Sequence, residues 1–448
     1  MATKTSSLES VALQNLWMHE SPRAELVNAG LLRVFTHGDG CWMYDTSGKK
    51  YFDLCSSMWQ SPLGHGRSDI PDAFAKQAKK MASAGPIYFT TEGAIELAER
   101  LAAVAPGDLS KVFLTSSGSE ATETAIKLAR QYHRLRGDHH RYKFISRYGS
   151  YHGAGTGGFA VSGRRHRDAM YYPTMPGATH IMPPTGTNDI VAAEELRTKI
   201  ELEGPDTIAA FIGEPVSITE FKIPDKDYWP RVRQICDEYG ILWIADETLV
   251  GCGRSGKMWA VNHWNVVPDV LIVAKSLSAG YTPIAAMIVR NHVYEAYGDN
   301  TPSPSVQSYG GHGAAAAGGA KTLEIYEKER IPQLAESVGQ KLMQRLQDAR
   351  DRPFVKEVRR FGCWVGIELM NPKTGQTLAR GLRGKYEIAR EIIPRLLAEG
   401  CAAARMSEGI LHAAPPFITT DSELDFISEK LHKVLDQLGD VIAKLPAK

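Results

Sequence analysis

Two residues frame the chemistry this chain could perform. In "VLIVAKSLSAG", residues 270–280, an aliphatic run ends on Lys275, and in "ILWIADET", residues 241–248, another ends on Asp246. An amine delivered to the end of a buried strand loses solvation, which disfavours its charged form, lowers its pKa and makes it a nucleophile and base. A lone lysine there also has a plainer use, its stem packed on apolar neighbours and its ammonium in water. Asp246 changes the weighing. Ligands of open α/β sheets bind in the crevice beyond the carboxyl ends of the strands, and both residues stand at such ends. A carboxylate held against a pyridine nitrogen keeps it protonated, and a lysine amine condenses with an aldehyde; together they describe pyridoxal phosphate. The alternative is two unrelated polar residues.

Such a cofactor needs a phosphate cradle. "LTSSGSEATETAIKLARQYH" supplies Ser117 and Glu120 at capping-box spacing ahead of a strong helix-forming stretch. The unpaired N–H groups and positive dipole end of that helix suit an anion, although read alone the stretch is simply a well-capped helix. "RYGSYHGAGTGG" sets Tyr151 and His152 just after a strand, where an aromatic face stacks on a flat ring or fills core. "GCGRSG", residues 251–256, matches G-x-G-x-x-G, with Asp269 further on. A dinucleotide site is rejected there, because no helical pattern follows and Asp269 precedes its strand instead of ending one. The 14 histidines show no metal-ligand spacing, so no metal is expected.

These residues must be carried by regular elements. "KVFLTS", "KFISRY", "TIAAFIGEP", "ILWIADE", "VLIVAKS" and "IAAMIV" each read as buried strands, and apolar runs bounded by Gly, Pro and Asp suit a mostly parallel sheet covered on both faces. That predicts an α/β fold with a large domain over 75–320. "GCWMYDTSGKKYFDLCSS" reads as a hairpin turning at "TSG". Beyond 320 come one long helix ("KTLEIYEKERIPQLAESVGQKLMQRLQDA"), the strand "CWVGIEL" and a final amphipathic helix from about 421. Segments 1–74 and 321–448 are expected to combine into a smaller α+β domain. "HGAAAAGGA" reads as a close-packed helix start, and "HHRYK" as a solvated loop.

Bulk properties exclude several functions. Lys+Arg 52 against Asp+Glu 51 recruits neither nucleic acid nor an anionic membrane. No apolar stretch approaches the roughly 20 residues of a membrane span, and no leader is evident. The six cysteines lack a C-x-x-C pair and suit reduced thiols in a cytoplasmic protein.

The ordered set "SSMWQSPLGHG", "TSSGSEATETAIKLAR", "YHG", "GEPV", "ADETLVGCGRSG", "PDVLIVAKSLSAGYTPIAA", "SYGGHGAAAAGGA" and "APPFIT" resembles the class III, or omega, aminotransferases over nearly the whole chain. The resemblance implies a fold-type I pyridoxal phosphate enzyme, a homodimer or tetramer with sites at the subunit interface. Lys275 then bonds the cofactor aldehyde and is catalytic together with Asp246, the partner of the ring nitrogen. Gly118 and Ser119 hold the phosphate, Tyr151 stacks on the ring, and His152, Glu214 and Thr248 complete its surroundings. Ser308 stands where a threonine of the other subunit usually reaches the phosphate. Trp59, Tyr88 and Arg405 fall at the substrate, Arg405 as the mobile clamp of a carboxylate.

Three departures bear on specificity: Thr248 replaces an apolar residue, Glu220 and Phe221 fill the place of a glycine pair after "EPV", and Gly313 replaces a proline. The implied reaction moves an amino group from an omega-amino acid or primary amine to pyruvate or a similar 2-oxo acid. A lyase or racemase of the same fold and a non-catalytic binding protein are the rivals.

Overall fold

The computed structural model describes residues 7–164, 169–378 and 388–445. Its central sheet has seven strands: β1 (Leu109–Thr115), β2 (Lys143–Arg147), β3 (Ala178–Ile181), β4 (Ile208–Gly213), β5 (Leu242–Asp246), β6 (Val270–Val273) and β7 (Ala285–Arg290). Their spatial order is β1-β7-β6-β5-β4-β2-β3. All neighbours pair in parallel except β7, which runs antiparallel to both β1 and β6. Every residue of β4, β5 and β6 is buried. Their side chains alternate between two cores: Trp243, Ala245, Leu271 and Val273 face one, Leu242, Ile244, Val270 and Ile272 the other.

The six expected strands are all present; the sheet also holds β3, which gives no apolar run because Thr179 and His180 separate Ala178 from Ile181. "KVFLTS" differs from its reading as a buried strand. β1 is the sheet's edge, with Ser110 and Lys111 exposed and Val112, Phe113 and Leu114 half-buried. The long helix expected after 320 is two, Gly313–Lys328 and Ile331–Leu346. Arg330, at φ +50, and Pro332 in the first turn of the second helix break it.

The hairpin is present as Trp42–Asp45 against Lys50–Asp53, its turn held by Asp45 Oδ1, which accepts from the backbone of Ser47 and Lys49. Cys401–Ala402 adds to that sheet alongside Lys50–Asp53, so the two ends of the chain share one sheet. A third sheet joins Val355–Arg360, Val365–Leu369, Ile410–Ala413 and Arg405–Ser407. The last helix, Asp421–Ala443, starts from a Thr420/Glu423 capping box. All six cysteines are free and buried. Among the described residues no helix is long and apolar enough to cross a membrane.

Candidate active site

β5 and β6 are parallel neighbours, with Asp246 opposite Ile272, so the chain leaving β6 carries Lys275 past the Asp246 carboxylate. Lys275 sits at φ +45 and Ala279 at φ +50. Such left-handed positions cost a non-glycine residue on the order of 1–3 kcal/mol and gather at functional sites. The lysine is half-buried and opens on a cleft lined by Gln60, Ser117, Gly118, Ser278 and Thr282. Burial draws its pKa below the ordinary lysine value, against the opposing pull of the Asp246 and Glu214 carboxylates.

Asp246 is buried. Its Oδ2 accepts from His152 Nδ1 at 2.9 Å and its Oδ1 from the Thr248 amide at 3.1 Å. Burial works against its charge, but the bonds from His152 and Thr248 outweigh it and hold the carboxyl below the usual range. With Nδ1 so engaged, the buried His152 Nε2 has no hydrogen-bond partner among the described residues, and neither has Glu214 Oε2. Burial keeps the Glu214 carboxyl above its ordinary range, with Asp246 adding to the rise and His152 and Arg147 opposing it. Arg147 donates to the Glu214 carbonyl and lies over the Trp229 ring.

Ser117 caps the helix Gly118–Leu135, its Oγ accepting from Glu120 N at 3.2 Å. The reciprocal bond goes one residue upstream of a capping box, Ser116 N donating to Glu120 Oε2 at 2.8 Å. The first-turn amides of Gly118 and Ser119 have no partner within the helix. A Cβ on Gly118 would lie 3.1 Å from Thr248 Cγ2 and 3.5 Å from Ala274 Cβ, so the helix start, Thr248 and the residue before Lys275 meet around one space. Ser119 Oγ accepts from Ala154 N at 3.1 Å and ties the helix to the Tyr151–His152 loop. The Arg164 guanidinium lies 4.2 Å from the Tyr151 ring centroid. This donor set fits pyridoxal phosphate: amides for a phosphate, an ionised carboxylate for a ring nitrogen, buried polar atoms awaiting partners, and a desolvated amine.

Trp59 is fully buried at the end of a strained turn. Ser56, Ser57, Met58 and Trp59 have φ of 46, 46, 73 and 62°, and Trp59 and Gln60 amides bond Cys55 and Ser56 carbonyls, which makes one turn of left-handed helix. That handedness costs roughly 1–2 kcal/mol per L-residue. Asp53 stabilises it by accepting from Ser57 N at 2.7 Å and Ser57 Oγ at 2.8 Å. The Trp59 ring packs edge-on to Trp364 and His412, with centroids 5.6 and 5.7 Å away. Phe221 joins this wall, 4.0 Å from Trp364. Glu220 turns the other way and lies against Gly149, where burial pushes its carboxyl up to about 7. Arg405 is half-buried opposite His412, and its guanidinium makes no hydrogen bond or ion pair among the described residues.

Trp59 and Arg405 are not among the residues lining this cleft, Trp59 lying buried behind Gln60, and Tyr88 and Ser308 stand on the surface of their own chain. Tyr88 is 97% exposed, beside Phe89 and Val306 in a surface hollow backed by β1. Ser308 is exposed next to Gln307, which donates to Thr124 Oγ1 at 3.2 Å. Sequence reasoning missed Arg147, Asp53 and Ser276, which support the site from behind. Only their neighbours carried a signal, since a buried polar residue looks like any other in a string. "GCGRSG" forms turns, and Asp269 is occupied by Arg233 and the Trp243 amide. Among the described residues no group of three His, Cys, Asp or Glu side chains could hold a metal.

The sequence model of the class-III aminotransferases matches residues 26–435. A probable aminotransferase of Mycobacterium tuberculosis is 35% identical, over 97% of this chain and 96% of its own length. The omega-amino acid–pyruvate aminotransferase of Pseudomonas putida is 28% identical, over 91% and 93%. Among solved structures, the omega transaminase of Pseudomonas jessenii in complex with PMP superposes with a TM-score of 0.89 at 29% identity, covering 98% of this chain and 99% of that one.

Proposed function

The chain belongs to the class III aminotransferases, and from that premise we propose that it moves an amino group from an omega-amino acid or another primary amine to pyruvate or a similar 2-oxo acid. The family works with pyridoxal 5′-phosphate. The observation that carries the reading is the buried His152–Asp246 pair set beside the desolvated amine of Lys275. When bound, the cofactor supplies an aldehyde that bonds an amine and a protonated ring that takes up the electrons of a broken C–H bond.

The residues divide the remaining work. Gly118 and Ser119 offer first-turn amides to the phosphate, and Thr248 closes the space beside them. Asp246 stays ionised and holds the proton of the ring nitrogen, while His152 fixes the carboxylate from behind through Nδ1. Tyr151 stacks on the ring, and Glu214 flanks it. Lys275 Nζ, its charge disfavoured by burial, takes a proton from the substrate carbon and returns it on the other side of the reaction. Arg405 grips a substrate carboxylate through paired N–H groups and moves aside for an uncharged amine. Trp59 walls the amine's side chain.

The active unit is a homodimer in a cytoplasmic enzyme. Tyr88, Phe89, Val306 and the half-buried edge strand β1 form an apolar surface that a second copy covers, which carries Tyr88 and Ser308 to the neighbouring site. Residues 75–320 form the cofactor domain, and the two chain ends form the small one.

The test is transfer itself. Purified holoenzyme is incubated with pyruvate or 2-oxoglutarate and a panel of amines including beta-alanine, taurine, diamines and aryl amines, and alanine or glutamate is measured. Ammonia release without a 2-oxo acid would instead indicate a lyase.

A further inference from the structure

Arg254, the arginine of "GCGRSG", has no role in the chemistry above, yet it is the most unusual charge in the fold. It is fully buried and makes no ion pair among the described residues, the buried Asp53 carboxylate favouring its charge without touching it. Its Nη1 donates to the carbonyls of Cys363 at 3.0 Å, Ala414 at 3.2 Å and Pro415 at 2.9 Å, and its Nη2 to Ser56 Oγ at 3.0 Å. The guanidinium carbon lies 4.3 Å from the Phe417 ring centroid. Taking an unpaired charge out of water is costly, so neutral acceptors from three separated chain segments are a poor arrangement for stability alone.

The three segments share a destination. Ser56 opens the left-handed turn that ends at Trp59, and its own Oγ donates to the Ala414 carbonyl at 2.7 Å. Cys363 precedes Trp364, and Ala414 follows the strand that carries His412; both rings pack on Trp59. One planar group with donors in a fixed fork therefore sets the relative placement of the three rings.

We propose that Arg254 is a positioning residue for amine recognition, holding the Ser56–Trp59 turn against the segments of Trp364 and His412 so that Trp59 keeps one pose beside the cleft. This rests on the reading of Trp59 as a wall of the substrate site. A lysine cannot reproduce the fork, and a missing Ser56 hydroxyl removes the link between Arg254 and the turn.

The experiment uses holoenzyme carrying Arg254→Lys, Arg254→Met or Ser56→Ala, each also made in a Trp59→Ala background. Steady-state kinetics are measured with a small aliphatic amine and a bulky aryl amine, together with the cofactor absorbance and borohydride trapping at Lys275. The expected result is a rise of ~5-fold or more in KM for the aryl amine, with kcat and absorbance nearly unchanged, and no further rise in the Trp59→Ala background, as coupled residues behave. Equal losses in kcat for both amines, or the same KM shift when Trp59 is absent, would overturn the proposal. If the Arg254 variants do not fold, Ser56→Ala decides alone by the same criteria. Trp59→Ala that leaves the discrimination between amines untouched overturns the premise as well; Trp59→Ala that changes it while Ser56→Ala does not overturns only the role of Arg254.

Discussion

Ser276 Oγ donates to the Trp59 carbonyl at 3.2 Å, so the residue that follows the half-buried Lys275 also holds the end of the left-handed turn. Both partners sit next to strained backbone, at Lys275 and over Ser56–Trp59. The Ser276 carbonyl is itself fixed by the Tyr326 hydroxyl at 2.6 Å. Ser276→Ala leaves the buried Trp59 carbonyl short of a donor, a loss of about 1–3 kcal/mol. Urea unfolding of the holoenzyme should show that decrease, and Ser276→Thr, which keeps the hydroxyl, should recover most of it. Unchanged stability in the alanine variant would mean that the turn does not depend on this bond.

Replacing Lys275 by arginine keeps a charge and removes the amine. Transfer should fall by about 10²–10⁴-fold or more, the scale of a lost acid–base group, and borohydride should no longer fix cofactor to the protein. The helix start and Asp246 are untouched, so cofactor should still bind without a covalent link. Residual trapping on the variant would place the linkage on another residue.

The strands, the helix start and the Lys275–Asp246 pair were legible because each couples a hydrophobic period to a polar residue at a strand end. What the sequence could not convey is contact between distant segments. Asp53 and Arg254 are read as ordinary charged residues until the fold brings Ser57 to one and Cys363, Ala414 and Pro415 to the other. "KVFLTS" reads as a buried strand because its centre is an apolar run, whereas in the fold Val112, Phe113 and Leu114 line a surface hollow. The break at Arg330 was written in "RIP", but helical periodicity on both sides masked it.

Arg405 gives a prediction that separates substrates. A charge-assisted bond to a carboxylate contributes about 1.5–3 kcal/mol, so Arg405→Ala should lower kcat/KM for omega-amino acids and for the 2-oxo acid by roughly 10–150-fold. A simple amine in the half-reaction that forms PMP should be affected far less, because it presents no carboxylate. Single-turnover absorbance changes with each donor measure this directly. Equal losses for beta-alanine and a simple amine would rule out a clamp at this position.

Burial raises Glu220 and Glu247 to about 7, and this fixes the sign of their effect on stability. Between the unfolded value near 4.5 and about 7, the folded protein binds more protons than the unfolded chain, so their contribution falls as pH rises through that window. Each fully shielded group contributes at most about 1.4 kcal/mol per pH unit, and Glu220, half-buried, contributes less through solvent screening. Buried His412, held down to about 3 by desolvation with Arg405 and Arg359 adding to the effect, works in the opposite direction between about 3 and 6.5, so the total curve is not diagnostic. The difference between variants is. Glu220→Gln removes one titrating carboxyl, and its stability relative to the parent should increase from pH 5 to pH 8 in urea unfolding. A relative stability that is flat or declining across that range would show that Glu220 is ionised in the fold throughout.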